Sequence, residues 1–183
     1  MQALEQMQLR ILQLRDESAF REALKESSDP DFDFALFRLK SESFQDYLRR
    51  LDDRTQGIGL PAHQVADQVH FAFLSQSTES QPIIVGRLSF RAKLNEDLLK
   101  IGGHLGYGVL PKYRQRGFAT RILAQGLVIA RREGLFRVLV TCRSNNLPSR
   151  KTIEACGGVL EDIVRDPDSP EFQEFRYWID LAR

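Results

Sequence analysis

Four cations, Lys112, Arg114, Arg116 and Arg121, crowd a turn that leads from an apolar stretch into helical spacing. The stretch Ile101 to Leu110 stops at Pro111, which cannot donate to a sheet ladder. Beyond Gly117, apolar residues recur at Ala119, Ile122, Leu123, Leu127 and Ala130, which is a helical period. Gln115, Arg116, Gly117, Phe118, Ala119 and Thr120 therefore sit at a strand-to-helix junction. Free backbone N–H groups converge there, and the helix start adds about half a positive charge. Gly117 and Ala119 are small enough for a bulky anion to reach the main chain. Such a turn suits a diphosphate. A nucleoside-triphosphate site fits poorly, because the Gly-Lys-[Ser/Thr] of a phosphate loop is missing.

A second pattern follows in register. Phe136 to Cys142 reads as a strand, then come Asn146-x-x-Ser149, a helical stretch through Cys156, and Gly157-Gly158. With Arg114-x-x-Gly117-x-Ala119 before it, this resembles the acetyl-coenzyme A signature of the GNAT family of N-acetyltransferases, over about Ile83 to Ile179. The wording Gly102-Gly-His-Leu-Gly-Tyr-Gly-Val109 and Arg176-Tyr-Trp-Ile179 is closest to a bacterial subgroup of predicted acetyltransferases. The resemblance implies acetyl-CoA as co-substrate, no metal, and direct transfer to a primary amine of a small molecule or peptide in a ternary complex. It implies that Val109 and Leu110 pair with the pantetheine arm, with the thioester carbonyl near the Val109 N–H. It also sets Asn146 and Ser149 beside that arm, although Asn146 reads equally as an ordinary helix N-cap.

Catalytic groups are harder to place. Where many relatives carry a Tyr that protonates the leaving thiolate, this chain has Ile153. The strand position where relatives often carry a Glu base is Gly103, next to His104, whose near-neutral reference pKa suits a base. The plainer reading of His104 is a half-buried strand histidine held by the main chain. Tyr107 is the other candidate. The rival class is a coenzyme A-binding sensor or interaction module with weak or no catalysis.

The elements that must position these residues read, in order, β-α-α-β-β-β-α-β-α-β-β. Strands are expected at Leu9–Arg15, 69–74, 83–90, 101–110, 136–142, 159–164 and 172–181, and helices at 16–25, 42–51, after Gly117 and at 148–156. A continuous helix from Leu4 to Leu24 is the rival reading of the start. The expected fold is α/β (α+β): one mixed, mostly antiparallel twisted sheet with flanking helices, splayed between its fourth and fifth strands. Chain length fits a single domain over 1–183, with 1–7 left open as a disordered end. A net charge of +1 recruits neither nucleic acid nor an anionic membrane, and no apolar run approaches the ~20 residues of a spanning helix. Cys142 and Cys156 lack metal or redox spacing and read as buried hydrophobes in a cytoplasmic protein. A homodimer is left open. Asp162, Asp166, Asp168, Glu171 and Glu174 form an acid-rich segment that would steer a cationic acceptor, or else a solvated loop.

Overall fold

The computed structural model describes residues 6–27, 29, 32–75, 82–165 and 171–181. Seven strands and five helices alternate: β1 (Gln6–Arg10), α1 (Glu17–Lys25), α2 (Phe44–Gln56), β2 (Gln68–Ser75), β3 (Ile83–Phe90), α3 (Glu96–Lys100), β4 (Leu105–Val109), α4 (Phe118–Arg132), β5 (Arg137–Arg143), α5 (Leu147–Ala155), β6 (Val159–Arg165) and β7 (Gln173–Asp180). The order matches the expected one except for α3, whose Asn95 cap accepts a hydrogen bond from the Leu98 N–H at 2.9 Å. The opening is a strand rather than a long helix. Gln125 of α4 explains why, since its side-chain amide accepts from the Leu9 N–H (2.8 Å) and donates to the Met7 carbonyl (2.9 Å), sealing the outer edge of β1. Residues 1–5 lie outside the described part, and Met7, within the end left open, is a buried member of β1.

Strands β1-β2-β3-β4 form one antiparallel sheet and β5-β7-β6 a second. The expected splay between the fourth and fifth strands is where the two part. Among the described residues the strands meet only at the base of β4, through a bridge between Gly103 and Val140. One core lies between the sheets, α4 and α5, with Leu88, Leu105, Ile122, Leu123, Val138, Ile153 and Tyr177 at its centre. The other packs α1 and α2 on the first sheet through Phe20, Phe34, Phe44, Tyr47 and Phe71, whose rings meet at centroid distances of 5.3–5.8 Å. Ser43 caps α2 by accepting from the Asp46 N–H, and Gly57 ends it in the left-handed region at φ 73°.

Candidate active site

The parting of β4 and β5 exposes one side of β4. Antiparallel pairing alternates: the Leu110 N–H bonds to the Val85 carbonyl at 2.9 Å, so Gly108 shares that orientation and the Val109 N–H faces the opening. Beyond β4 a short 3-10 turn, Pro111–Tyr113, leads into a loop where Gln115 (φ 59°) and Gly117 (φ 76°) are both left-handed. Left-handed residues spaced this way curl successive N–H groups into a concave nest, which suits an anion. Gly117 then serves as the N-cap of α4 and supplies no side-chain bond to the first turn. A Cβ added to Gly117 would meet nothing within 4 Å. The loop presents an uncapped helix start to open space, as a diphosphate requires.

A cleft of about 500 Å³ runs from this loop to the β4–β5 opening. Of the residues predicted to bind or react, Tyr107, Val109, Arg114, Gln115, Gly117, Phe118, Ala119, Thr120, Asn146 and Ser149 line it. Leu110, Arg116 and His104 do not. Leu110 is fully buried, with its N–H spent on Val85, which corrects its expected contact with the pantetheine arm. Arg116 lies over the rings of Phe118 (5.1 Å) and Tyr113 (5.8 Å) at the rim. Arg114 serves as a brace: its Nε donates to the Val109 carbonyl at 3.0 Å, and its guanidinium pairs with Asp29.

His104 joins the sheets at the base of the split. Its ring Nδ1 accepts from the Leu139 N–H at 2.9 Å, and its main-chain N–H donates to the Leu139 carbonyl at 2.8 Å. Burial, with Arg91 adding, pushes its pKa down to about 4. Protonating Nδ1 would set two N–H groups against each other. This geometry supports the plainer reading, a strand histidine held by main chain, and does not support a base in the cleft.

Tyr107 does face the cleft. Its hydroxyl lies 3.0 Å from Ser149 Oγ and 3.2 Å from the Ser149 carbonyl, so a β4 side chain reaches α5. Burial pushes its pKa up to about 12. Asn146 caps α5, its Oδ1 accepting from the Ser149 N–H at 3.1 Å. Ile153 is fully buried in the core. Asp29 and Phe32 also line the cleft, and sequence reasoning missed them. They sit in an acidic turn-rich stretch where no periodic pattern marks them. An added Cβ at Gly108 would overlap the Phe32 ring, so that ring lies directly on β4.

The acid-rich segment is partly neutralised from within. Arg176 pairs with Asp162 (2.7 Å) and Glu161 (3.1 Å), and Glu174 is buried. Asp166 and Asp168 fall outside the described residues. Among those described, no group of three or more His, Cys, Asp or Glu is placed to hold a metal, and no helix is long and apolar enough to cross a membrane.

This fold recurs in known proteins. The chain belongs to the GNAT acetyltransferases: the family model described as acetyltransferase (GNAT) domain matches residues 7–159. Among solved structures, a GNAT-family acetyltransferase from Bacillus anthracis is 20% identical, with 98% of this chain and 97% of that one covered and a TM-score of 0.61. A protein from Salmonella typhimurium assigned as an acetyltransferase, solved with its cofactor acetyl-CoA, is 14% identical over 97% and 95% of the two chains at TM-score 0.59. A spermidine N-acetyltransferase chimera from Vibrio cholerae and hSSAT is 15% identical over 96% of each, at 0.62. No curated protein matches the chain.

Proposed function

We propose that this protein is a single-domain, cytoplasmic N-acetyltransferase that moves the acetyl group of acetyl-CoA directly to a primary amine. The observation that carries the reading is the continuous cleft, with an uncapped helix start at one end and Tyr107 with the Val109 N–H at the other. Main-chain N–H groups of Gln115 to Thr120 hold the diphosphate, aided by the helix dipole. Asn146 and Ser149 flank the pantetheine arm. The Val109 N–H donates to the thioester oxygen as negative charge develops there.

The neutral amine nitrogen attacks the thioester carbon, the C–N bond forms and the C–S bond breaks. Its surplus proton leaves to water. Tyr107 stabilises the departing sulfur with a hydrogen bond when its phenol proton turns from the Ser149 carbonyl into the cleft while Ser149 Oγ donates to the phenol oxygen. Full transfer would run uphill, from a phenol near 12 to a thiolate whose acid has a pKa of about 8.5. Two free cysteines, neither in a disulfide, support a reducing compartment. The test is mass spectrometry of an amine panel incubated with protein and acetyl-CoA. Acetylated amine is the expected product. Tight acetyl-CoA binding with no product from any amine would leave a coenzyme A-binding module instead.

A further inference from the structure

Arg87 is the one charged residue of β3 and is only 8% exposed. A buried guanidinium is costly unless a carboxylate or several hydrogen bonds compensate it. Among the described residues it has one hydrogen bond, from Nε to the Asp33 carbonyl at 3.0 Å, and no carboxylate at ion-pair distance. Asp33 itself is exposed. The Phe32 ring centroid lies 5.1 Å from the guanidinium carbon. Burial lowers the pKa of Arg87 to about 10, so it remains charged at neutral pH. Neither terminal nitrogen has a hydrogen-bond partner among the described residues, and the charges of Asp33 and Asp67 act on the guanidinium only from a distance.

The position of the guanidinium is informative. Arg87 is the cross-strand partner of Gly108, and paired residues project from the same face of a sheet. Gly108 and Phe32 both line the cleft, so the guanidinium stands one layer behind its wall, beside β4. On the same face Gly106 pairs with Ser89, and the Phe32 ring lies over Gly108, so that ring covers this flank of β4 between the cleft and the guanidinium. An acceptor that turns the Phe32 ring aside would lie over those glycines, with one end at the β4–β5 opening and the other against Arg87.

We propose that Arg87 receives a carboxylate of the acceptor, so that the amine acetylated belongs to an amino acid or a short peptide. The inference rests on the acetyl-transfer reading and reverses the sign expected of the acceptor, since a purely cationic amine would be repelled at this point. A guanidinium fork matches a carboxylate with two parallel hydrogen bonds, which an ammonium cannot do as well.

The test compares matched pairs, each common amino acid with its carboxamide, using acetyl-CoA and the full chain. The carboxylate member should be favoured at least tenfold in kcat/KM. Arg87→Met should erase that preference while leaving the KM for acetyl-CoA unchanged, and Arg87→Lys should keep part of it. Should Arg87→Met fail to fold, the wild-type pairs decide alone. Turnover without preference for the carboxylate overturns the Arg87 site and leaves acetyl transfer standing. Absence of turnover with every amine removes both.

Discussion

The Tyr107 hydroxyl lies 3.0 Å from Ser149 Oγ, tying β4 to the first turn of α5 across the cleft. In this chain a phenol reaches the cleft from the strand, while the helix position that carries a Tyr in many relatives holds the buried Ile153. A hydrogen bond to a developing thiolate contributes about 1.5–3 kcal/mol. Tyr107→Phe should therefore lower kcat by about 10- to 100-fold with little change in donor KM. Because the phenol titrates near 12, no alkaline limb from Tyr107 should appear in the pH–rate profile at lower pH. Steady-state kinetics of the variant from neutral to alkaline pH decide this, and an unchanged kcat would hand the sulfur to solvent.

Gly117→Val should abolish tight acetyl-CoA binding without unfolding the protein. No neighbour obstructs a side chain there within 4 Å, so the core is untouched, but the branched side chain would occupy the diphosphate's approach. The left-handed φ of 76° adds a local strain of about 1–2 kcal/mol. Calorimetry with acetyl-CoA reads the affinity and circular dichroism reads the fold. Wild-type affinity in a folded variant would refute the diphosphate site.

His104 should influence stability more than chemistry. Its pKa, and that of His70, are each pushed down by burial to about 4 from a usual 6.5. The folded state thus resists taking up protons that the unfolded chain accepts. Their contribution is fully present above about pH 6.5 and lost as pH falls toward 4. Urea midpoints measured across that window should fall in wild type and fall less in His104→Gln. The same variant should lose less than tenfold in kcat, whereas removing a true base costs about 10²–10⁴. A larger loss, with the acidic limb of the rate profile gone, would restore the catalytic role.

Arg114→Ala should weaken acetyl-CoA binding by about 1–2 kcal/mol, by loosening the loop. The guanidinium that holds the Val109 carbonyl and Asp29 is a strut between the strand end and the α1–α2 connection. Asp29→Asn should reproduce part of the loss although it removes a negative charge from the cleft. If Asp29→Asn tightens binding instead, Arg114 acts as a direct phosphate contact.

Much of this is legible in the sequence. Pro111, Gly117 and the spacing Ile122, Leu123, Ala130 mark the β4-to-α4 junction because backbone chemistry is local, and the binding loop followed from it. The short β4 was less so. Ile101 to Gly103 are apolar or small enough to extend a strand, yet Gly102 and Gly103 are left-handed, and a side chain at Gly103 would overlap the Leu139 carbonyl. That contact is long-range and leaves no periodic trace. Phe32 and Asp29 reach the cleft through the same kind of contact, from a connection with no pattern of its own. Arg87 carried a visible signal, as the one charged residue of β3, whose meaning depended on what stood opposite it.

The acid-rich strand makes the last prediction. Steering of a cationic acceptor requires carboxylates whose field reaches solvent, but Glu161 and Asp162 are both engaged by Arg176, whose side chain is only 15% exposed. Glu161 also accepts from the Trp178 indole at 2.8 Å. One guanidinium shared by two carboxylates leaves a single net negative charge, which is screened beyond a Debye length of about 8 Å at physiological salt. Glu161→Gln with Asp162→Asn should change acceptor KM less than about twofold and leave it flat across a salt series, while lowering stability by about 0–1 kcal/mol per pair. The readout is steady-state kinetics of both substrates from low to high salt, beside a urea titration. A steep rise in acceptor KM with salt in wild type, absent from the double variant, would reinstate steering by this strand and count against a carboxylate-bearing acceptor.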